Sequence, residues 1–132
     1  MSSPRPALEA TPWRLAICRF APDAPLPAWV LHAEAQFWSL TRTPDELSVV
    51  CAEDDLPPSV RPHAECGWRA FRVAGPLALD VAGVVAALTG PLAAAGVPVF
   101  VISTHDTDVL LVRAGDEPRA RALLAGAFEL RG

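Results

Sequence analysis

A short polar segment, Ser103-Thr104-His105-Asp106-Thr107-Asp108, separates two apolar runs and gathers groups that could bind a ligand. The runs, Val97–Ile102 and Val109–Val112, are rich in β-branched residues, which predicts two buried strands joined by a tight connection. Hydroxyl and carboxylate groups at the ends of two strands can form hydrogen bonds with a small polar molecule. This segment, called the polar turn below, is the first part of the predicted site.

The second part of the predicted site is the segment Asp80-Val81-Ala82-Gly83-Val84-Val85, where a helix is predicted to begin. A helix N-terminus presents unpaired backbone N–H groups and the positive end of the helix dipole, which suit an anionic group. Gly83 has no Cβ, so a ligand can approach the backbone closely there. The carboxylates of Asp80 and Asp108 can accept hydrogen bonds from a cationic group.

Each of these residues also has a purely structural interpretation. Asp80 can cap the helix, and Gly83 can allow close packing of the helix against a strand. Asp108 can fix the turn through its side chain, and His105 is expected to face solvent. The sequence leaves both interpretations open for Asp80, Gly83 and Asp108.

The candidate residues must be positioned by the strands and helices that the sequence predicts. From Gly67 onward the predicted order is strand, helix, strand, strand, helix, strand, which is the ferredoxin-like order. Gly90-Pro91 is expected to kink or restart the long helix, and Asp116 to cap the next one. The predicted strands are Trp13–Phe20, Gln36–Arg42, Leu47–Ala52, Gly67–Val73, Pro98–Ser103, Val109–Arg113 and Phe128–Arg131, and the predicted helices are Ala28–Ala33, Val81–Ala95 and Glu117–Ala127.

A weak internal repeat relates the two halves of the chain. Thr41–Asp54 aligns without gaps on Ser103–Asp116 at an offset of 62 residues, whereas Trp13-Arg14 aligns on Trp68-Arg69 at an offset of 55. The first half is then seven residues shorter between its first two strands, about two helical turns. The sequence predicts two units, residues 12–65 and 66–132, the first with truncated helices, which share one core.

Composition excludes several classes of protein. The chain has 132 residues and a net charge of −4, which gives no electrostatic footprint for nucleic acid. No apolar run reaches the roughly 18 residues that span a bilayer, and no signal-peptide pattern is present, so a cytoplasmic location is expected. Cys18, Cys51 and Cys66 form no metal-like spacing and are expected to be reduced and packed as apolar groups. No metal site or cofactor is expected.

These motifs resemble those of ACT domains. Asp80-Val81-Ala82-Gly83-Val84-Val85 is similar to the D-x-x-G turn of that family, and Val101-Ile102-Ser103-Thr104 followed by Thr107-Asp108 resembles a signature of small bacterial ACT proteins related to cytosolic arginine sensors. Glu65-x-Gly67-Trp68-Arg69 is similar to a motif of the same group. The resemblance implies an α+β fold of two tandem ferredoxin-like ACT units, and it covers roughly residues 12–131.

The resemblance also implies amino-acid binding at an interface between ACT units, with the site formed by Asp80–Val85 and Ser103–Asp108. The ligand carboxylate is then expected on the N–H groups of Gly83 and Val84. A homodimer is expected, because such units usually complete their sites by pairing. The alternative is a ligand-free module that only mediates protein interaction or oligomerisation. An enzyme is not expected, since no nucleophile, base and acid set and no phosphate loop is present.

Overall fold

The computed structural model describes residues 5–31, 34–75 and 82–132. Its strands are β1 Ala7–Phe20, β2 Ser39–Arg42, β3 Leu47–Ala52, β4 Glu65–Val73, β5 Phe100–Ser103, β6 Asp108–Arg113 and β7 Glu129–Arg131. Its α-helices are α1 Ala28–Leu31, α2 Val84–Ala94 and α3 Glu117–Leu124. The fold is therefore α+β, as predicted, and no helix among the described residues is long and apolar enough to span a membrane.

The chain divides into two compact units. The first unit is Trp13–Trp68, and the second unit is Met1–Pro12 together with Arg69–Gly132. The strands β1 and β4 cross the boundary between units, so each contributes one part to either unit. The predicted first strand, Trp13–Phe20, is therefore too short, because β1 begins at Ala7.

The strands of the first unit are hydrogen bonded in the order β2-β3-β1-β4. Antiparallel pairing joins β1 to β3 and β2 to β3. Prolines precede the helix α1, and Val30 packs with strand residues that include Ala16, Val49 and Cys51 in one apolar cluster. Among the described residues α1 has four residues, which agrees with the short helix predicted after Pro27.

The strands of the second unit follow the order β7-β1-β4-β6-β5. β5 and β6 form an antiparallel hairpin, while β7 lies parallel to the start of β1, with Leu8 opposite Leu130. The core of this unit joins strand residues such as Phe71 and Leu110 to Leu88 of α2 and Leu124 of α3, each of them at most 1% exposed. The N-terminal segment was not expected to form part of this sheet.

Two local predictions about the helices hold only in part. The helix α2 runs through Pro91 without restarting, although Pro91 supplies no N–H for the helix ladder. Asp116 occupies the N-cap position of α3, as predicted, but its side chain makes no capping hydrogen bond, and a 3-10 turn, Ala114–Asp116, leads directly into the helix.

The thiols lie in the core of the first unit. Cys18 and Cys51 are buried without forming a disulfide among the described residues, and Cys66 packs against the same cluster. The hydrogen bond that Cys51 shares with Cys18, followed by burial, holds the pKa of Cys51 well above its ordinary value. Their predicted role as small apolar groups is confirmed.

The two β-hairpins are related by 61 residues, not 62. In each hairpin a threonine N–H bonds to a carbonyl three residues on, Thr43 to Glu46 and Thr104 to Thr107. The residues that pack against the helices show the same spacing of 61. Val49 and Cys51 in the apolar cluster of the first unit correspond to Leu110 and Val112 in the core of the second unit. A slip of one residue would turn these side chains to the opposite face of the sheet. The first half is therefore six residues shorter, and Arg42 and Leu47 correspond to Ser103 and Asp108.

Candidate functional site

The polar turn closes the β5–β6 hairpin of the second unit. The N–H of Thr104 donates to the carbonyl oxygen of Thr107 at 2.8 Å. The Thr104 hydroxyl donates to the same oxygen at 3.1 Å and accepts from the N–H of Thr107 at 3.2 Å. A threonine hydroxyl that both donates and accepts in this way holds the turn in one conformation.

Asp108 is a buried carboxylate at the base of this turn. The residue is 9% exposed, and its Oδ1 accepts a hydrogen bond of 2.6 Å from the Ser103 hydroxyl across the hairpin. Bonds of this kind to an ionised acceptor are short and strong. The structural role considered for Asp108 is therefore present, since Asp108 ties the two strands together where the turn begins.

The tip of the turn faces solvent. The side chains of His105 and Asp106 are 82% and 67% exposed, and His105 Nδ1 lies 2.8 Å from Asp106 Oδ1. The solvent-facing position predicted for His105 is confirmed. Asp106 presents its charge at the surface next to Thr107.

The helix α2 begins at Val84, directly after Gly83, which has a φ of 91°. This left-handed conformation is one that residues with a Cβ rarely adopt, so the backbone itself requires glycine. A Cβ at Gly83 would meet no atom of the described residues within 4 Å, so the left-handed backbone is the requirement for glycine that the structure shows at this position. Ala82 and Val85 are exposed and Val84 is half-buried, whereas Asp80 and Val81 lie outside the described residues.

The polar turn lies at the C-terminal end of β4. The Thr107 hydroxyl donates to the carbonyl oxygen of Val73, the last residue of that strand. The chain leaves β4 at this point and reaches the start of α2 at Val84. Both predicted parts of the site thus follow strand ends within one unit, and the Thr107–Val73 bond is the contact that fixes the turn there.

An open cleft of about 440 Å³ lies beside the polar turn. Its lining residues are Glu9, Arg72, Val73, Ala74, Gly75, Asp106 and Thr107, of which only the last two were predicted as site residues. Arg72 Nη2 lies 3.0 Å from Glu9 Oε1, and both side chains are about half exposed. Glu9 in β1 and Arg72 in β4 were not among the predicted site residues. The sequence signal for them is a charged side chain within each of two strands.

The equivalent hairpin in the first unit is closed by a different side chain. The guanidinium of Arg42 donates to the carbonyl oxygens of Pro22 and Ala24 in the loop between β1 and α1. Ser103 is the corresponding residue of the second unit, and its side chain is much shorter than that of Arg42. The two hairpins therefore differ in chemistry although their turns share one hydrogen-bond pattern.

These features define a small α+β domain with polar groups collected at one end of its sheet. A model of the ACT domain matches residues 63–125, and a second model, of an N-terminal domain, matches residues 14–59. The residues from 63 to 125 therefore match the ACT domain, as the motifs of this half predicted.

Named relatives and solved structures agree with this assignment. The chain is 34% identical over 108 residues to the bovine cytosolic arginine sensor for mTORC1 subunit 1. The aligned region covers 75% of this chain and 33% of that protein. The chain thus spans about a third of the length of the curated relatives it matches. A crystal structure of an Agobacterium tumefaciens protein is 39% identical, with a TM-score of 0.86 over 98% of this chain and 94% of the other.

A more distant structure shares the fold alone. The regulatory subunit of aspartate kinase from Thermus thermophilus superposes with a TM-score of 0.66 at 13% identity, over 96% of this chain and 100% of that chain. At this identity only the arrangement of strands and helices is comparable.

Proposed function

We propose that this chain is a non-catalytic regulatory module that binds an amino acid through its second unit. The observation that carries the proposal is the bond between Thr107 and Val73, which holds the polar turn at the end of β4, on the path to the start of α2. In this proposal the hydroxyl groups and carboxylates of the polar turn act together with the first N–H groups of α2. The relatives named as cytosolic arginine sensors support the amino-acid class and a cytoplasmic location.

The proposed pose follows from the chemistry of an α-amino acid. Its carboxylate accepts hydrogen bonds from the N–H groups of Gly83 and Val84, where the helix dipole is positive. Its ammonium lies beside Asp80 or Asp108. The proposal includes two ferredoxin-like ACT units in tandem and a homodimer, with a facing ACT unit completing the site.

The first unit is not the proposed binding unit. Arg42 already donates to two loop carbonyl oxygens there, and Leu47 stands where the second unit has the carboxylate of Asp108. No glycine follows Asp23 in the loop before α1, whereas in the second unit Gly83 comes three residues after Asp80. In the first unit, therefore, Arg42 is bonded to the loop before α1. The apolar residue Leu47 is at the position where the second unit has Asp108.

A thermal-shift screen of the twenty amino acids on the full chain tests this function. A ligand present at 100 times its dissociation constant adds about 2.7 kcal/mol to the free energy of unfolding, which raises the melting temperature by several degrees for a domain of this size. One amino acid, or a chemically related group of them, should produce a saturable shift. No shift with any of them would favour the ligand-free interaction module instead.

A further inference from the structure

We propose that the cleft lined by Glu9, Arg72 and Asp106 is a separate binding site for the head group of an α-amino acid. The ligand class rests on the proposed function, but the location does not, because the cleft and the start of α2 belong to different faces of the sheet. The cleft is thus a second place at which the same class of molecule would be recognised.

The alternation of side chains along β1 and β4 separates the two places. Leu8, Phe71 and Val73 are fully buried in the core that contains α2 and α3. Neighbouring residues of a strand point to opposite faces, so Glu9 and Arg72 project from the face opposite α2 and α3. The start of α2 is on the helix side of the same sheet.

The charges in the cleft match an amino-acid head group in sign and spacing. The guanidinium of Arg72 and the carboxylate of Glu9 lie 3.0 Å apart, and each remains about half exposed to solvent. An α-amino acid carries a carboxylate and an ammonium on one carbon, so both can pair with adjacent protein charges of opposite sign. Asp106 adds a second carboxylate, which favours a ligand that brings an ammonium rather than an anion alone.

The size of the cleft fits one small molecule. Its volume of about 440 Å³ lies near the lower end of the range of roughly 300–1,000 Å³ for ligand pockets. Ala74 and Gly75 form part of the wall and have small or absent side chains, so a ligand can approach the backbone there. The cleft is open, and the head group is therefore the recognised part, with little selection for the ligand side chain.

Amide shifts in two-dimensional ¹H–¹⁵N spectra of the full chain separate the two locations. Glycine is the probe, because it is the head group without a side chain. Glycinamide, which lacks the carboxylate, and N-acetylglycine, which lacks the ammonium, are the controls at matched ionic strength. We expect glycine to shift the amides of Ala74 and Gly75 in a saturable manner, with at least tenfold weaker effects from either control.

Two variants test the assignment. Glu9→Gln keeps the size of its side chain and Arg72→Gln removes the guanidinium, and each should weaken the glycine-dependent shift of Gly75 at least tenfold, whereas Arg14→Gln, at an exposed residue outside the cleft, should leave it unchanged. Shifts confined to Gly83 and Val84 would overturn the cleft and leave the proposed function standing. Equal shifts from all three compounds, or no shift at Ala74 and Gly75, would also overturn it. Shifts confined to Ala74 and Gly75 would support the cleft and remove the start of α2 as the ligand site.

Discussion

Replacing Gly83 with aspartate tests two things at one position: the strain of the left-handed backbone and the proposed place of the ligand carboxylate. The φ of 91° lies in the left-handed region, where a residue with a Cβ costs about 1–2 kcal/mol. A Cβ would meet no atom of the described residues within 4 Å, so the expected cost is calculated from this strain. We expect Gly83→Asp to lower the free energy of unfolding by about 1 kcal/mol, which leaves the chain folded.

The effect of Gly83→Asp on binding should be larger than its effect on stability. In the proposed pose the new carboxylate lies beside the ligand carboxylate. Two like charges about 5 Å apart repel by roughly 1–3 kcal/mol, for effective dielectric constants between that of water and about 20. The expected loss of affinity is therefore about 5- to 150-fold.

Gly83→Asn is the matched control for this experiment. Asparagine has nearly the same size and the same backbone strain as aspartate but carries no charge, so it should retain most of the affinity. Calorimetric titration of both variants and the unmodified chain, with the amino acid identified by the thermal screen, gives the comparison. Equal affinities for the two variants, with circular dichroism showing that both fold, would refute a ligand carboxylate at the start of α2.

Three further predictions concern the hairpins and the assembly. Asp108→Ala removes the acceptor of the Ser103 hydroxyl and should cost about 1–3 kcal/mol in urea unfolding and about tenfold in ligand affinity, whereas Asp45→Ala should change both little. Arg42→Ala should cost about 1–2 kcal/mol in the same assay, and a loss no greater than that of the exposed Arg14→Ala would show that its loop contacts are not stabilising. Light scattering should give the mass of a homodimer, and a monomer at every accessible concentration would contradict that assembly.

The short-range features of the fold were readable from the sequence. The apolar runs around Leu47–Ala52 and Val109–Arg113 predicted both hairpins, because β-branched residues and a polar connection are local signals. Proline predicted the shortened helix of the first half for a similarly local reason. The polar turn was recognised because its residues are consecutive.

The spacing of the repeat was misjudged because both central strands are buried on both faces. Leu47, Val49, Val50 and Cys51 are all buried, and so are the first five residues of β6. Such a run has no alternation of polar and apolar residues, so an alignment shifted by one residue matches apolar side chains equally well. The hydrogen bonds of the turns and the helix-facing clusters supply the register that the sequence pattern lacks.

The cleft could not be predicted because its parts are distant in sequence. Glu9 lies in a segment whose pairing with β7 joins opposite ends of the chain, and no local pattern encodes that pairing. Arg72 sits between the buried residues Phe71 and Val73, where a lone charge indicates only a second, less buried face. The cleft becomes visible once β1, β4 and the polar turn are assembled.

The corrected register explains why the two hairpins can serve different purposes. With the threonines of both turns aligned, Arg42 and Leu47 of the first unit correspond to Ser103 and Asp108 of the second. In the first unit the guanidinium reaches the loop before α1 and the opposing position is apolar, so the hairpin and loop are joined by the protein itself. In the second unit a hydroxyl and a carboxylate bind each other across the hairpin. The same backbone turn therefore carries a guanidinium tied to a loop in one unit, and in the other it carries polar groups of the ligand site that we propose.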